Sequence, residues 1–179
     1  SRVSGWWNTR IFVPKYQRQF SWDSKIKQKH VDQLFDDFVE HSQESNLNNS
    51  SFAYYLGALV FVQSVKNNNE HRIDILDGQQ RLTTLYLFCA ALIRNFNVLI
   101  NEINSSGIED IQKRLFKHEI EAKITILKDH LITQGNETIL RLGYQDDIDH
   151  FEYCLTTFGN NTLSANLRKS HPILKAFNL

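Results

Sequence analysis

Apolar residues recur along this chain with two different periods. Val31, Leu34, Phe35, Phe38 and Val39 fall at i, i+3, i+4, i+7 and i+8, the spacing of one face of an amphipathic helix. Ser21, Asp23 and Ser24 precede it as candidate caps. Upstream, Pro14 in IFVPKY keeps Val13 out of helical geometry, so an extended segment is expected there. The polar run SQESNLNNSS predicts a loop. FAYYLGALVFVQSV is dense in aromatic and β-branched residues and predicts a buried strand. KNNNE is a hairpin-length loop, and HRIDIL alternates as its antiparallel return.

After Asp77-Gly78 the period switches from two to helical. Residues 79–100 are apolar nearly all round, which predicts a central helix wrapped by protein. NSSG at 104–107 reads as a linker, and Ile108, Ile111 and Leu115 mark a further helix. Residues 124–132 fit helix or strand, ETILRLGY predicts a short strand, and Asp146 or Asp147 caps DIDHFEYCLTTF. His171-Pro172 opens a last helix. The expectation is an α+β protein: a strand-bearing unit over residues 1–103, then a mainly helical extension over 104–179, cut short as an excised piece of a longer chain.

Composition narrows the classes. Lys+Arg and Asp+Glu both number 20 in 179 residues, so there is no overall positive charge to hold a nucleic-acid duplex. Lys25, Lys27 and Lys29 in SKIKQKH form a local basic run that reads first as a solvated helix face. The two cysteines, Cys89 and Cys154, build no disulfide framework; Cys89 lies in an apolar run and reads as a buried small residue. Both suit a reducing cytoplasm. The longest apolar run, 85–93, is far shorter than the roughly 20 residues that span a bilayer, so no membrane partner is expected. Seven histidines show no metal-binding spacing, and His30, His41, His118, His130 and His150 read as solvated.

Candidate chemistry concentrates at one corner, DGQQR. A strand turning directly into a helix presents the first helical N–H groups, a positive dipole end suited to phosphate. Gly78 permits torsions that a side chain forbids and lets a ligand approach closely. Arg81 in the first turn opposes the dipole, so a negative group belongs nearby; Thr83 and Thr84 add hydroxyls. In the bland reading Asp77 caps the helix, Gly78 makes the turn and Arg81 pairs with a carboxylate. There is no Walker loop. A second polar cluster, Tyr16, Gln17 and Arg18, follows Pro14 and precedes Trp22. Trp22 reads as helix-start packing. Two guanidiniums could clamp a polyphosphate bidentately, and two or three charge-assisted bonds of roughly 1.5–3 kcal/mol each support binding of about millimolar to micromolar strength.

Taken together, FVPKYQRQFSW, YYLGALVFV and IDILDGQQRLTTL resemble the DGQQR-motif domain at the N-terminus of GmrSD-type modification-dependent restriction enzymes. That family's pattern is I-P-x-Y-Q-R-x-Y-x-W, a helix, an F-L-G strand, then D-G-Q-Q-R-x-T-T-L. Here Val13 replaces Ile, Phe20 an aromatic often Tyr, and Tyr55-Leu56-Gly57 the F-L-G. The resemblance is specific over residues 11–93 and weaker through ILRLGYQDDIDHFEYCL. It implies a small mixed sheet like those of ParB and sulfiredoxin, with a buried helix after the corner. It also implies nucleoside triphosphate binding and hydrolysis with Mg²⁺, coupled to recognition of modified phage DNA. A downstream nuclease domain would lie outside this chain. By the same resemblance, Asp77, Gln79, Gln80 and Arg81 are catalytic, and Tyr16, Gln17, Arg18, Gly78, Arg81, Thr83 and Thr84 bind nucleotide. Arg81 and Arg18 would neutralise phosphoryl charge and Gln79 or Gln80 would orient water. Asp77 would hold the metal or fix Arg81. The rival readings are a DNA- or phosphate-binding module without turnover, and a corner whose polar groups only hold the fold together.

Overall fold

The structure, a computed structural model, describes residues 10–22, 30–48, 55–65, 71–131, 138–158 and 163–178. Nine elements follow in chain order: β1 (Ile11–Phe12), α1 (His30–Asn48), β2 (Val60–Val65), β3 (His71–Asp77), α2 (Gln79–Ser105), α3 (Asp110–Leu131), β4 (Leu140–Arg141), α4 (Gln145–Thr157) and α5 (Pro172–Phe177). The expected α+β architecture is present, with a small mixed sheet of order β2-β3-β1-β4. β2 and β3 pair antiparallel, as the alternation in HRIDIL predicts, and β1 lies parallel to both β3 and β4. Ile11 stands opposite Ile73 on one side and Leu140 on the other. The two-residue β1 therefore ties the start of the chain to its distant last strand.

One core cluster joins the layers. Ile75 from the sheet, Leu82, Leu87, Ala90 and Ile93 from α2, Ile120 and Ile124 from α3, Phe151 and Leu155 from α4, and Ile173 and Phe177 from α5 all belong to it. α2 is the hub, packed against α3, α4 and α5. Its 27 residues are long and apolar enough, taken whole, to cross a bilayer, although no unbroken apolar run in it is. The apolar face from Leu82 to Ile93 is instead covered by protein.

Several local expectations shift. α1 runs on to Asn48 through most of the expected loop SQESNLNNSS. Residues 42–48 contain neither Gly nor Pro, so nothing there breaks a helix already formed. Val39 leaves the stripe and is exposed, while Val31 and Leu34 are buried. Of the expected strand from Phe52 onward, residues 52–54 lie outside the described residues and 55–59 are not strand; β2 begins at Val60, and Val60, Phe61 and Val62 are exposed. Aromatic and β-branched composition specifies an extended backbone more strongly than it specifies burial, and β2 is an edge strand. The wrapped part of α2 ends near Ile93; Val98 and Leu99 face outward. On α3 the helical period holds but the phase differs: Ile111 and Leu115 are exposed, whereas Ile120, Ile124 and Leu131 are buried. Residues 124–131 are helical, which resolves the ambiguity there.

The N-cap of α4 is Tyr144, in extended geometry, and Asp146 and Asp147 occupy the first turn. The short strand in ETILRLGY and the helix opened by His171-Pro172 are both present, the latter with the His171 side chain as cap. Cys154 is buried as a free thiol, while Cys89 is only half-buried. The proposed caps Asp23 and Ser24, the lysines of SKIKQKH and the loop KNNNE lie outside the described residues.

These placements separate core from decoy. Phe151→Ala should lower stability by about 3–5 kcal/mol, seen as an earlier urea midpoint with unchanged slope. Ile111→Ala, at a residue 71% exposed, should stay within about 0.5 kcal/mol of the parent.

Candidate phosphate-binding corner

β3 ends at Asp77 and α2 begins at Gln79, leaving Gly78 alone to reverse the chain. Its φ of 88° lies in the left-handed region, and an added Cβ would stand 2.3 Å from Leu59 Cδ2 and 3.3 Å from Ala58 O. Torsion and space both demand glycine. Asp77 Oδ1 accepts from Gly78 N at 2.8 Å rather than from the helix's first turn. No side chain among the described residues caps α2. The first-turn N–H groups thus belong to residues that line a cavity and keep their dipole end uncovered.

Both carboxamides answer why the corner is so polar. Gln80 Oε1 accepts from Ser21 N at 2.9 Å and Trp22 N at 3.3 Å, while its Nε2 donates to Gln19 O at 3.1 Å. Gln79 Nε2 donates to Arg18 O at 2.8 Å. In return, Gln17 Nε2 donates to Leu76 O at 2.7 Å on β3. Residues 17–22 are stitched to the strand–helix corner through backbone groups that would otherwise go unpaired beside it.

Arg81 points the other way along the corner. Its Nη1 donates to Leu56 O at 3.1 Å and Nη2 to Ala58 O at 2.8 Å, with Asp77 Oδ2 3.6 Å from Nη2. A Cβ at Gly57, where φ is +89°, would sit 1.8 Å from Nη1. The guanidinium fills the notch that glycine leaves.

Gln17, Arg18, Trp22, Asp77, Gly78, Gln79, Gln80 and Arg81 together line a polar cavity of about 230 Å³. Most of the residues singled out in the sequence converge here. Three do not line it. Tyr16 is 73% exposed. Thr83 and Thr84 are buried within α2, Thr84 Oγ1 bonding back to Gln80 O at 2.9 Å. Arg18 is exposed, and its guanidinium has no partner among the described residues. Asp77 has its side chain 69% exposed and is the only carboxylate on the lining among the described residues.

A larger cavity of about 550 Å³ lies between the sheet and α2 and is apolar, with Ile11, Phe61, Ile73, Leu82 and Leu131 among its walls. Tyr86 and Cys89 also line it. Burial, with a smaller contribution from Cys89, pushes the Tyr86 hydroxyl up to about 12. Burial also raises the Cys89 thiol. Neither offers an anion to do chemistry.

Sequence reasoning missed a second polar cluster altogether. His150, expected in solvent, is fully buried and lies ring on ring with His171, centroids 3.9 Å apart and planes within 11°. The error has a simple origin: the period of α4 places His150 inward, one turn from Asp146. Donors of Asp146, His150 and His171 fall within 4.8 Å of one another, as in a metal site. Their hydrogen bonds argue otherwise. His150 Nδ1 meets Asp146 O at 2.7 Å and Nε2 accepts from Arg168 N at 2.8 Å. His171 Nδ1 accepts from Ile173 N at 3.3 Å, which leaves Nε2–H to face Asp147 Oδ1 at 3.2 Å. Every ring nitrogen is committed, and a metal lies in the plane of an imidazole that binds it, which two stacked rings cannot both satisfy.

No curated protein matches the chain. A family model does: that of the GmrSD restriction endonuclease, N-terminal domain, which matches residues 4–175. The match runs through the sheet, the corner and the helices beyond it, so the chain belongs to the GmrSD restriction endonuclease N-terminal domain family.

Proposed function

We propose that this domain binds a nucleoside triphosphate at the DGQQR corner and hydrolyses it, as the regulatory part of a DNA restriction protein acting in phage defence. The observation that carries the reading is the polar cavity at the uncapped start of α2, with one guanidinium in its wall and another, Arg18, uncommitted at its edge. Its volume of about 230 Å³ is below the 300–1,000 Å³ of whole-ligand pockets. The cavity therefore accommodates phosphoryl groups and leaves the base outside.

The side chains divide the work. Arg18 meets the terminal phosphate oxygens bidentately. The first-turn amides of α2 take a second oxygen. Arg81 supports the wall formed by residues 56–58 and adds its charge from there. Gln80's oxygen and nitrogen both hold the loop, so Gln79, whose Oε1 remains to accept from a water, is the residue that orients the nucleophile. Asp77 is the carboxylate that would hold Mg²⁺ carried on the polyphosphate. The metal supplies neutralisation of phosphoryl charge. DNA is the partner that a restriction enzyme implies, and cleavage would fall to a nuclease domain outside these residues, in the cytoplasm.

Thermal denaturation with Mg²⁺ and each common nucleoside triphosphate tests the assignment. At a hundredfold excess over Kd the ligand should stabilise the parent by about 2.7 kcal/mol. Arg18→Ala should keep the parent's own Tm and lose the nucleotide-induced rise. Gln80→Leu should lower the Tm without ligand, by roughly 2–4 °C for each kcal/mol lost, because three loop groups lose their partners. No rise with any nucleotide, or an equal rise in Arg18→Ala, refutes the assignment. Binding without turnover would leave a phosphate-sensing module.

A further inference from the structure

Within residues 18–22 one backbone amide is held by a helix other than α2. Gln79 and Gln80 take the carbonyls of Arg18 and Gln19 and the amides of Ser21 and Trp22. The amide of Phe20 goes elsewhere. It donates to Asp147 Oδ2 at 3.0 Å, on α4, 127 positions along the chain. Phe20 turns its ring into the core while its N–H faces this carboxylate.

Asp147 is itself 3% exposed. A buried carboxylate is costly unless its oxygens are hydrogen-bonded. One oxygen has Phe20 N; the other has His171 Nε2 at 3.2 Å. His171 is held in turn. Its Nδ1 accepts the α5 cap bond from Ile173 N, its ring lies on His150, and His150 is pinned between Asp146 O and Arg168 N. Asp146 closes the cluster through its ion pair with Arg168. The chain of contacts runs from the segment before α5, through His171 and Asp147, to a residue two positions from Arg18.

We propose that Asp147 is a positioning residue for the corner: oriented by His171, it fixes the backbone at Phe20 and so sets where Arg18 enters the phosphate cavity. The proposal rests on the nucleotide reading for its consequence, though not for its geometry. The two glutamines hold residues 18, 19, 21 and 22 from α2, and the carboxylate holds residue 20 from α4. A loop gripped from only one helix can rock about that line of bonds. Gripped from both, it presents Arg18 in one place, and less freedom is lost when a ligand arrives.

Amide hydrogen exchange of residues 16–22, read alongside affinity for the Mg²⁺–nucleotide and for inorganic pyrophosphate, tests this. His171→Leu should speed exchange of the Phe20 amide roughly tenfold or more and weaken both ligands by a similar factor, as loss of a charge-assisted bond would. His171→Gln, which restores an N–H toward Asp147, should recover most of each effect. Asp147→Asn, which can accept fully from only one of its two donors, should behave like His171→Leu. Ile124→Ala in the α3 core controls for stability alone; compared at matched distance below its Tm, it should leave Phe20 exchange and both affinities near the parent values. Unchanged Phe20 exchange in His171→Leu and Asp147→Asn, or equal changes in Ile124→Ala, overturns the proposal. Faster Phe20 exchange in a chain whose parent binds neither ligand would support the clasp and refute the nucleotide reading, so the two failures are separable.

Discussion

Gln80 is the hinge of this molecule's organisation. A carboxamide carries an acceptor and two donors on one planar head, and this one bridges three backbone groups of a loop that lies 58 to 61 positions upstream. A carboxylate there could take the two amides but not give to the carbonyl of Gln19; an amine could do only the reverse. The need to serve both signs at once, with the side chain 7% exposed, selects Gln over every other long side chain. The latch holds the loop that carries Phe20 into the core and that supplies Gln17, Arg18 and Trp22 to the lining of the corner cavity.

The latch also explains why the helix start is open. An ordinary helix takes Ser, Thr, Asp or Asn at its N-cap, and their oxygens occupy the first orphan amides. Here the cap position is glycine in a left-handed turn, and the adjacent aspartate bonds the glycine's own amide. The strand–helix junction is too tight for a capping side chain, with Leu59 and Ala58 pressed against it. The consequence is a positive dipole end that no side chain among the described residues caps, and such an end is the physical root of the anion preference proposed for the corner. Arg81, which sits badly beside such a dipole in isolation, is accommodated because two carbonyls and the Asp77 carboxylate surround its guanidinium.

How far the sequence could be read depended on whether a residue answered to local or to distant neighbours. The strand-to-helix switch at Gly78, the antiparallel hairpin and the helix after His171-Pro172 are governed by period, torsion and capping, and each was legible. Burial was not. Ile111 and Leu115 carry the same period as Ile120 and Ile124, and only the position of α2 decides which stripe faces inward. The same holds for β2, whose composition suits a central strand but whose place is the edge. At the corner, the placing of Arg18 and Arg81 on the lining of one cavity was foreseeable from a shared polarity. The stitching role of the two glutamines was not, because its partners are backbone groups, and backbone groups leave no mark in a sequence.

His150 shows the same limit from the other direction. A lone histidine at a helical position carries no sign of its tertiary partner, and the residue that stacks on it belongs to a different helix's cap, 21 positions on. Once both are in place, the pair accounts for how a buried carboxylate at position 147 is satisfied with no lysine or arginine in contact among the described residues: the His171 imidazole supplies one donor and the Phe20 amide the other. That arrangement makes the later helices part of the corner's machinery. A loop held only by α2 would be placed by the start of one helix. This loop is placed by α2, from the middle of the chain, and by Asp147 on α4, which His171 at the cap of α5 meets in turn.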